Sequence, residues 1–138
     1  MNFQGGHRLA ACAALALLCG CGKGPVRVAD SFVDKYYVEA DQQGAMKYAD
    51  GLATLKLQDE LKLAAEGRGP GMETISNQVR VYYKHGALSG DGDARTIDYH
   101  LDIRPQGGGE LQREAHLELH RAPDGIWRVS RFNETQPH

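Results

Sequence analysis

The chain has 138 residues, enough for one domain with its own core and too few for two. Its 16 basic and 18 acidic residues give a formal charge of −2, with no clustered basic face of the kind that binds nucleic acid. All three cysteines (Cys12, Cys19, Cys21) fall near the N-terminus, so the body of the chain has no intrachain disulfide, cysteine metal site or cysteine nucleophile.

The first element is an apolar run, Leu9 to Leu18, behind the basic pair His7-Arg8. It is shorter than the roughly 18–20 residues that span a bilayer, which argues against a permanent transmembrane helix. Leu18-Cys19-Gly20-Cys21 follows and resembles the lipobox of a bacterial lipoprotein signal peptide. The resemblance implies cleavage after residue 20 and a lipid on the Cys21 sulfur. Residues 1–20 are then the leader, 21–25 a lipidated tether and 26–135 the domain. Loss of Arg8 leaves 15 basic against 18 acidic residues, and Cys21 becomes the only thiol. The implied address is the cell envelope. No Asp follows Cys21, which favours the outer membrane facing the periplasm over the inner one.

From Pro25 the period is helical. Ala29, Phe32, Val33, Tyr36, Tyr37 and Ala40 form one apolar stripe, and Arg27, Asp30, Asp34, Lys35 and Glu39 lie mainly off it. Pro25 suits a first helical turn, where its missing N–H is not needed. Asp41 is placed to N-cap a short second helix carrying Ala45, Met46 and Ala49. Asp50-Gly51 ends it, and a third helix is expected over Leu52–Glu66. Its stripe is Leu57, Leu61, Ala64 and Ala65, with Gly67 as a left-handed stop. Gly67-Arg68-Gly69-Pro70-Gly71 breaks the pattern. It lacks the preceding strand and the Gly-Lys-Ser/Thr ending of a phosphate loop.

Beyond it the period becomes two. Val79, Val81 and Tyr83 alternate with polar neighbours, as do Ile97, Tyr99, Leu101 and Ile103. Leu111, Ala115, Leu117 and Leu119 follow, then Trp127 and Val129. Turn residues separate the runs at Ser89–Asp93, Pro105–Gly109 and Pro123–Gly125. The class is therefore α+β, with N-terminal helices packed on a curved four-stranded antiparallel meander. Pro123-Asp124-Gly125 fits a three-residue hairpin loop that sets Leu119 opposite Val129. In the preceding hairpin, apolar matching sets Ile103 against Leu111 and Ile97 against Leu117. His100 then faces Glu114 and Asp98 faces His116, whereas a shift of two would oppose like charges.

Phe32-Val33 and Tyr36-Tyr37 on the first helix, Asp41 with Ala45, the third helix and the closing Trp127-Arg128-Val129 strand together resemble the nuclear transport factor 2-like (cystatin-like) cone. The resemblance covers about residues 26–133. The usual hairpin between the second and third helices has no room here, as in trimmed members found in bacterial envelope proteins and lipoproteins. It implies a helix pair on the concave face of a bent sheet, and a pocket in the cone. Phe32, Tyr36, Tyr48, Tyr83, Tyr99 and Trp127 are the expected lining.

Ketosteroid isomerase and scytalone dehydratase share this fold, so isomerase, dehydratase or hydrolase chemistry is one reading. It needs a carboxylate or His base inside the cone. Asp98, His100, Asp102 and His116 have the parity opposite to Tyr83 and Tyr99, so no ionisable base lies on the alternation of the expected lining and the interior is expected to hold no reactive group. No catalytic residue and no cofactor is assigned. His100, His116 and His120 share a surface with carboxylates and could ligate a metal, but strand spacing does not impose tetrahedral geometry and a solvated charged face is the favoured reading. Asp91-Gly92-Asp93 lacks the downstream Glu of a calcium loop. The leading expectation is a non-enzymatic module, held to a membrane by its N-terminal lipid, that binds a small apolar ligand or an envelope protein. The outer sheet face, with Tyr82, His100 and His116, would serve a partner or a homodimer. An accessory role in an envelope secretion or assembly machine is a further alternative.

Overall fold

The computed structural model describes residues 22–67 and 79–137. The leader, Cys21 and Arg68–Gly71 lie outside the described residues.

Helix α1 runs Pro25–Val33, with Pro25 in its first turn, and buries Val28, Ala29, Phe32 and Val33. It does not continue regularly to Ala40. Asp34–Val38 forms a π-helical turn in which the Glu39 N–H donates to the Asp34 carbonyl at 2.8 Å. The wider turn keeps both Tyr36 and Tyr37 half-buried, although adjacent residues on a regular helix diverge by about 100°. Ala40 is exposed with φ of 51°, a left-handed conformation that ends the helix. Helix α2 (Gln42–Ala45) has the expected cap: Asp41 Oδ1 accepts from the Gly44 N–H at 2.8 Å. A 3₁₀ turn over Met46–Tyr48 follows.

Helix α3 spans Gly51–Gly67 but buries only Ala53 and Leu57. The expected stripe fails in its second half, where Ala65 is exposed and Leu61 and Ala64 are only partly covered. The helix packs mainly on the last strand. Gly67 ends the helix without a left-handed φ.

The sheet holds β1 (Val79–His85), β2 (Ser89–Asp91), β3 (Ala94–Pro105), β4 (Leu111–Arg121) and β5 (Trp127–Thr135). Its main path is β1-β3-β4-β5, all antiparallel, with β2 folded back on the start of β3. The fifth, short strand comes from the segment expected to be only a turn. Gly90 permits it: at φ of 84° a Cβ there would lie 2.6 Å from the Ala94 carbonyl oxygen. The expected pairs are present: Ile103 with Leu111, Ile97 with Leu117, His100 with Glu114, Asp98 with His116, and Leu119 with Val129. Gly125 takes the left-handed position of the β4–β5 loop at φ of 81°.

Past Val129 the alternation breaks. Glu118 pairs with Arg131 while Leu119 pairs with Val129, so Ser130 is the extra residue of a β-bulge. The bulge turns Phe132 inward in place of Arg131, and Phe132 is buried. It meets Phe32 edge-on at 4.9 Å and Tyr36 at 4.8 Å. The core is one continuous cluster between α1 and the inner face of β3, β4 and β5. Each large apolar side chain enclosed there contributes about 1.5–3 kcal/mol of transfer free energy.

Candidate functional site

Three features bear on function. The first is an apolar groove of about 260 Å³ at one end of the sheet. The segment before α1 supplies Gly22 and Lys23, α1 supplies Val28, the 3₁₀ turn supplies Lys47 and Tyr48, the β4–β5 loop supplies Ile126 and the start of β5 supplies Trp127. The β4–β5 hairpin presents the last pair: Trp127 points into the core at 9 % exposure, and Ile126 stands half-exposed beside it. The Lys23 ammonium lies 5.2 Å from the centre of the Tyr48 ring, a cation–π contact at the rim.

The second feature is a set of tyrosine–carboxylate pairs that join the layers. Tyr99 Oη donates to Asp30 Oδ1 at 2.6 Å, tying β3 to α1. Tyr36 Oη donates to the Glu60 carboxylate at 2.9 Å, tying the π-turn to α3, and Tyr37 Oη donates to Glu134 at 2.8 Å, tying it to β5. Burial first, then the facing carboxylate, raises the pKa of Tyr99 and Tyr36 above the usual phenol value. Tyr37 is raised in the same way by burial and Glu134, and Tyr83 by burial and Asp34. These hydroxyls therefore act as proton-holding donors at neutral pH.

Strand parity alone does not reveal this set, because the helical segments supply Asp30, Asp34 and Glu60 and the exposed end of β5 supplies Glu134. The available signal was the tyrosine stripe itself: a buried Tyr hydroxyl requires a partner, and Asp30 and Asp34 flank that stripe.

The third feature is the outer sheet face. His100 Nδ1 lies 2.7 Å from Glu114 Oε1 and its Nε2 lies 3.4 Å from Asp102 Oδ1. His116 Nδ1 lies 2.6 Å from Asp98, and His120 Nε2 lies 2.9 Å from Asp50. Among the described residues no group of three or more His, Cys, Asp or Glu is placed to hold a metal ion. Geometry explains the spread: His116 and His120 are four residues apart on one strand, about 13 Å. Each histidine answers a carboxylate of its own.

The Glu114 hydrogen bond, against an opposing desolvation, raises the His100 pKa above 6.5. A proton NMR titration should place its midpoint above that of a free imidazole, and Glu114→Gln should bring it down. A raised folded-state value means that this contribution to stability is complete below the unfolded value and fades as pH rises through the folded one. An unshifted midpoint in the native chain would show that the pair is not formed in solution.

The six residues expected to line one pocket divide among three places. Tyr48 and Trp127 line the groove. Phe32 is fully buried and stacks on Tyr36 at 5.8 Å, both against Phe132. Tyr83 meets Tyr99 edge-on at 5.6 Å, and Tyr99 is fully buried. Sequence reasoning did not include Gly22, Lys23, Val28, Lys47 or Ile126 in the lining, since Gly22–Pro25 read only as a tether.

Among the described residues no helix is long and apolar enough to cross a membrane. No known family profile matches the chain, and no curated protein is significantly similar to it. Among solved structures, the chain is similar to a ketosteroid isomerase-like protein from Erwinia carotovora atroseptica SCRI1043. The TM-score is 0.58 and the identity 9 %, over 83 % of this chain and 94 % of that one. Helices on an open antiparallel sheet, matched over nearly the whole of that neighbour, make the fold a nuclear transport factor 2-like cone.

Proposed function

We propose that the chain is a lipid-anchored envelope protein whose cone domain binds, without catalysis, a small apolar ligand in the Tyr48–Trp127 groove. The observation that carries the reading is the groove's lining: Val28, Tyr48, Ile126 and Trp127 give apolar walls, with no carboxylate or histidine among the lining residues. Such a site can hold an apolar group, and its lining offers no carboxylate or imidazole base. The sequence supports the anchor, since Gly22 at the groove's edge directly follows the lipobox cysteine.

The test uses the chain from Gly22 onward and the probe anilinonaphthalene sulfonate. One saturable site with enhanced probe emission is expected, and Ile126→Glu should abolish it without changing the circular dichroism spectrum. No enhancement, or enhancement that survives Ile126→Glu, would contradict the reading.

A cone-pocket isomerase, dehydratase or hydrolase is the second reading, and the fold likeness speaks for it more than for the first. The observation that favours it is Asp30, a carboxylate held 2.6 Å from a buried tyrosine hydroxyl, the residue types that such chemistry uses. That arrangement predicts turnover lost in Asp30→Asn with probe binding in the groove unchanged.

A further inference from the structure

The groove's rim points to its ligand class. Lys23 and Lys47 stand at its mouth and both are exposed. Among the described residues neither has a carboxylate within 4.0 Å, whereas Arg128 and Arg121 nearby are matched by Asp124 and Asp93. Two lysines with no carboxylate partner among the described residues therefore border walls made of Val28, Tyr48, Ile126 and Trp127. Trp and Tyr beside Lys is the composition that settles at the headgroup level of a bilayer, with rings at the apolar boundary and ammonium groups among phosphates. Ile126 is half-exposed at the same mouth, an apolar side chain left in water when the face is bare. Gly22 itself lines this groove, so an anchor on the preceding residue would bring this end of the domain to the membrane first.

We propose that the groove is a docking surface for an anionic lipid bilayer. Lys23 and Lys47 hold a lipid phosphate between them, and the upper part of an acyl chain lies against Val28, Tyr48, Ile126 and Trp127. The proposal rests on the lipid-anchor reading and names its apolar ligand as a membrane lipid.

Trp127 is the only tryptophan of the chain, so its emission reports this site alone. The full, processed chain is reconstituted into vesicles carrying bromine on the upper acyl chain, either phosphatidylcholine alone or with phosphatidylglycerol. Flotation is measured on the same samples. The expected result is co-flotation in both, with Trp127 quenched by bromine in the anionic vesicles and little in the zwitterionic ones. Replacing Lys23→Gln and Lys47→Gln, both exposed, should lower the docked-to-free ratio about fivefold per lysine.

Co-flotation with no quenching would overturn the docking surface and leave the anchor standing. Equal quenching in both vesicle types, or quenching unmoved by the lysine variants, would overturn the lysine clamp and with it the proposal. Failure to float would overturn the anchor and the docking together.

Discussion

Trp127→Ala is expected to destabilise the domain by about 3–5 kcal/mol, the range for removing a large buried aromatic. Trp127 is 9 % exposed and opens β5, where it pairs across from Arg121 and forms the inner wall of the groove. The substitution removes that wall and the ring over which the Arg121 guanidinium lies at 5.7 Å. Urea denaturation followed by circular dichroism measures the loss, since the variant has no tryptophan to report it. A loss below about 1 kcal/mol would mean that the side chain is not a core anchor, because that is the scale of ordinary surface substitutions. The same variant should lose the anilinonaphthalene sulfonate site.

Tyr99→Phe is the second large effect, expected at about 1.5–3 kcal/mol, the range for a hydrogen bond to a charged group. The phenyl ring remains fully buried, so packing is retained and only the hydroxyl that meets Asp30 at 2.6 Å disappears. Asp30→Asn combined with Tyr99→Phe should recover part of the loss, because the orphaned group is then neutral. If Tyr99→Phe is neutral, the bond between β3 and α1 adds nothing to folding. The raised pKa of Tyr99, Tyr36 and Tyr37 extends the argument to alkaline pH. An acid whose folded pKa is raised stabilises the fold below its unfolded value and loses that contribution as pH climbs past it, here from about pH 10 upward.

Where one simple periodicity governs a segment, the sequence predicts the structure closely. Strands β3 and β4 alternate without interruption, and charge complementarity across them chooses the register that brings His100 to Glu114 and Asp98 to His116. The Asp41 cap is equally local and equally visible. Departures occur where a backbone irregularity resets the phase. The π-turn at Asp34–Val38 lets Tyr36 and Tyr37 stay half-buried together and moves Ala40 out. The bulge at Ser130 does the same on β5, turning in Phe132, an anchor that strict alternation would put on the surface. Neither irregularity leaves a local signature in residue type, so each shows only once the tertiary partners of Phe32 and Tyr36 are in place.

The candidate site was half legible. Tyr48 and Trp127 were named from the sequence, but the rest of the groove is assembled from segments far apart in the chain, at residues 22–28, 47–48 and 126–127. The tyrosines were legible as core. Their carboxylate partners were not, because Asp30 and Glu60 sit on helices whose rotation relative to the sheet is set by packing alone.

The lipid anchor depends on the chemistry of residue 21. Intact mass and fragment mass spectrometry of the processed chain, isolated from envelope membranes, should find a first residue of Cys21 with a diacylglyceryl thioether on its sulfur. A chain that begins elsewhere, or a free thiol at that cysteine, would contradict the anchor and remove the ground for a domain held against lipid.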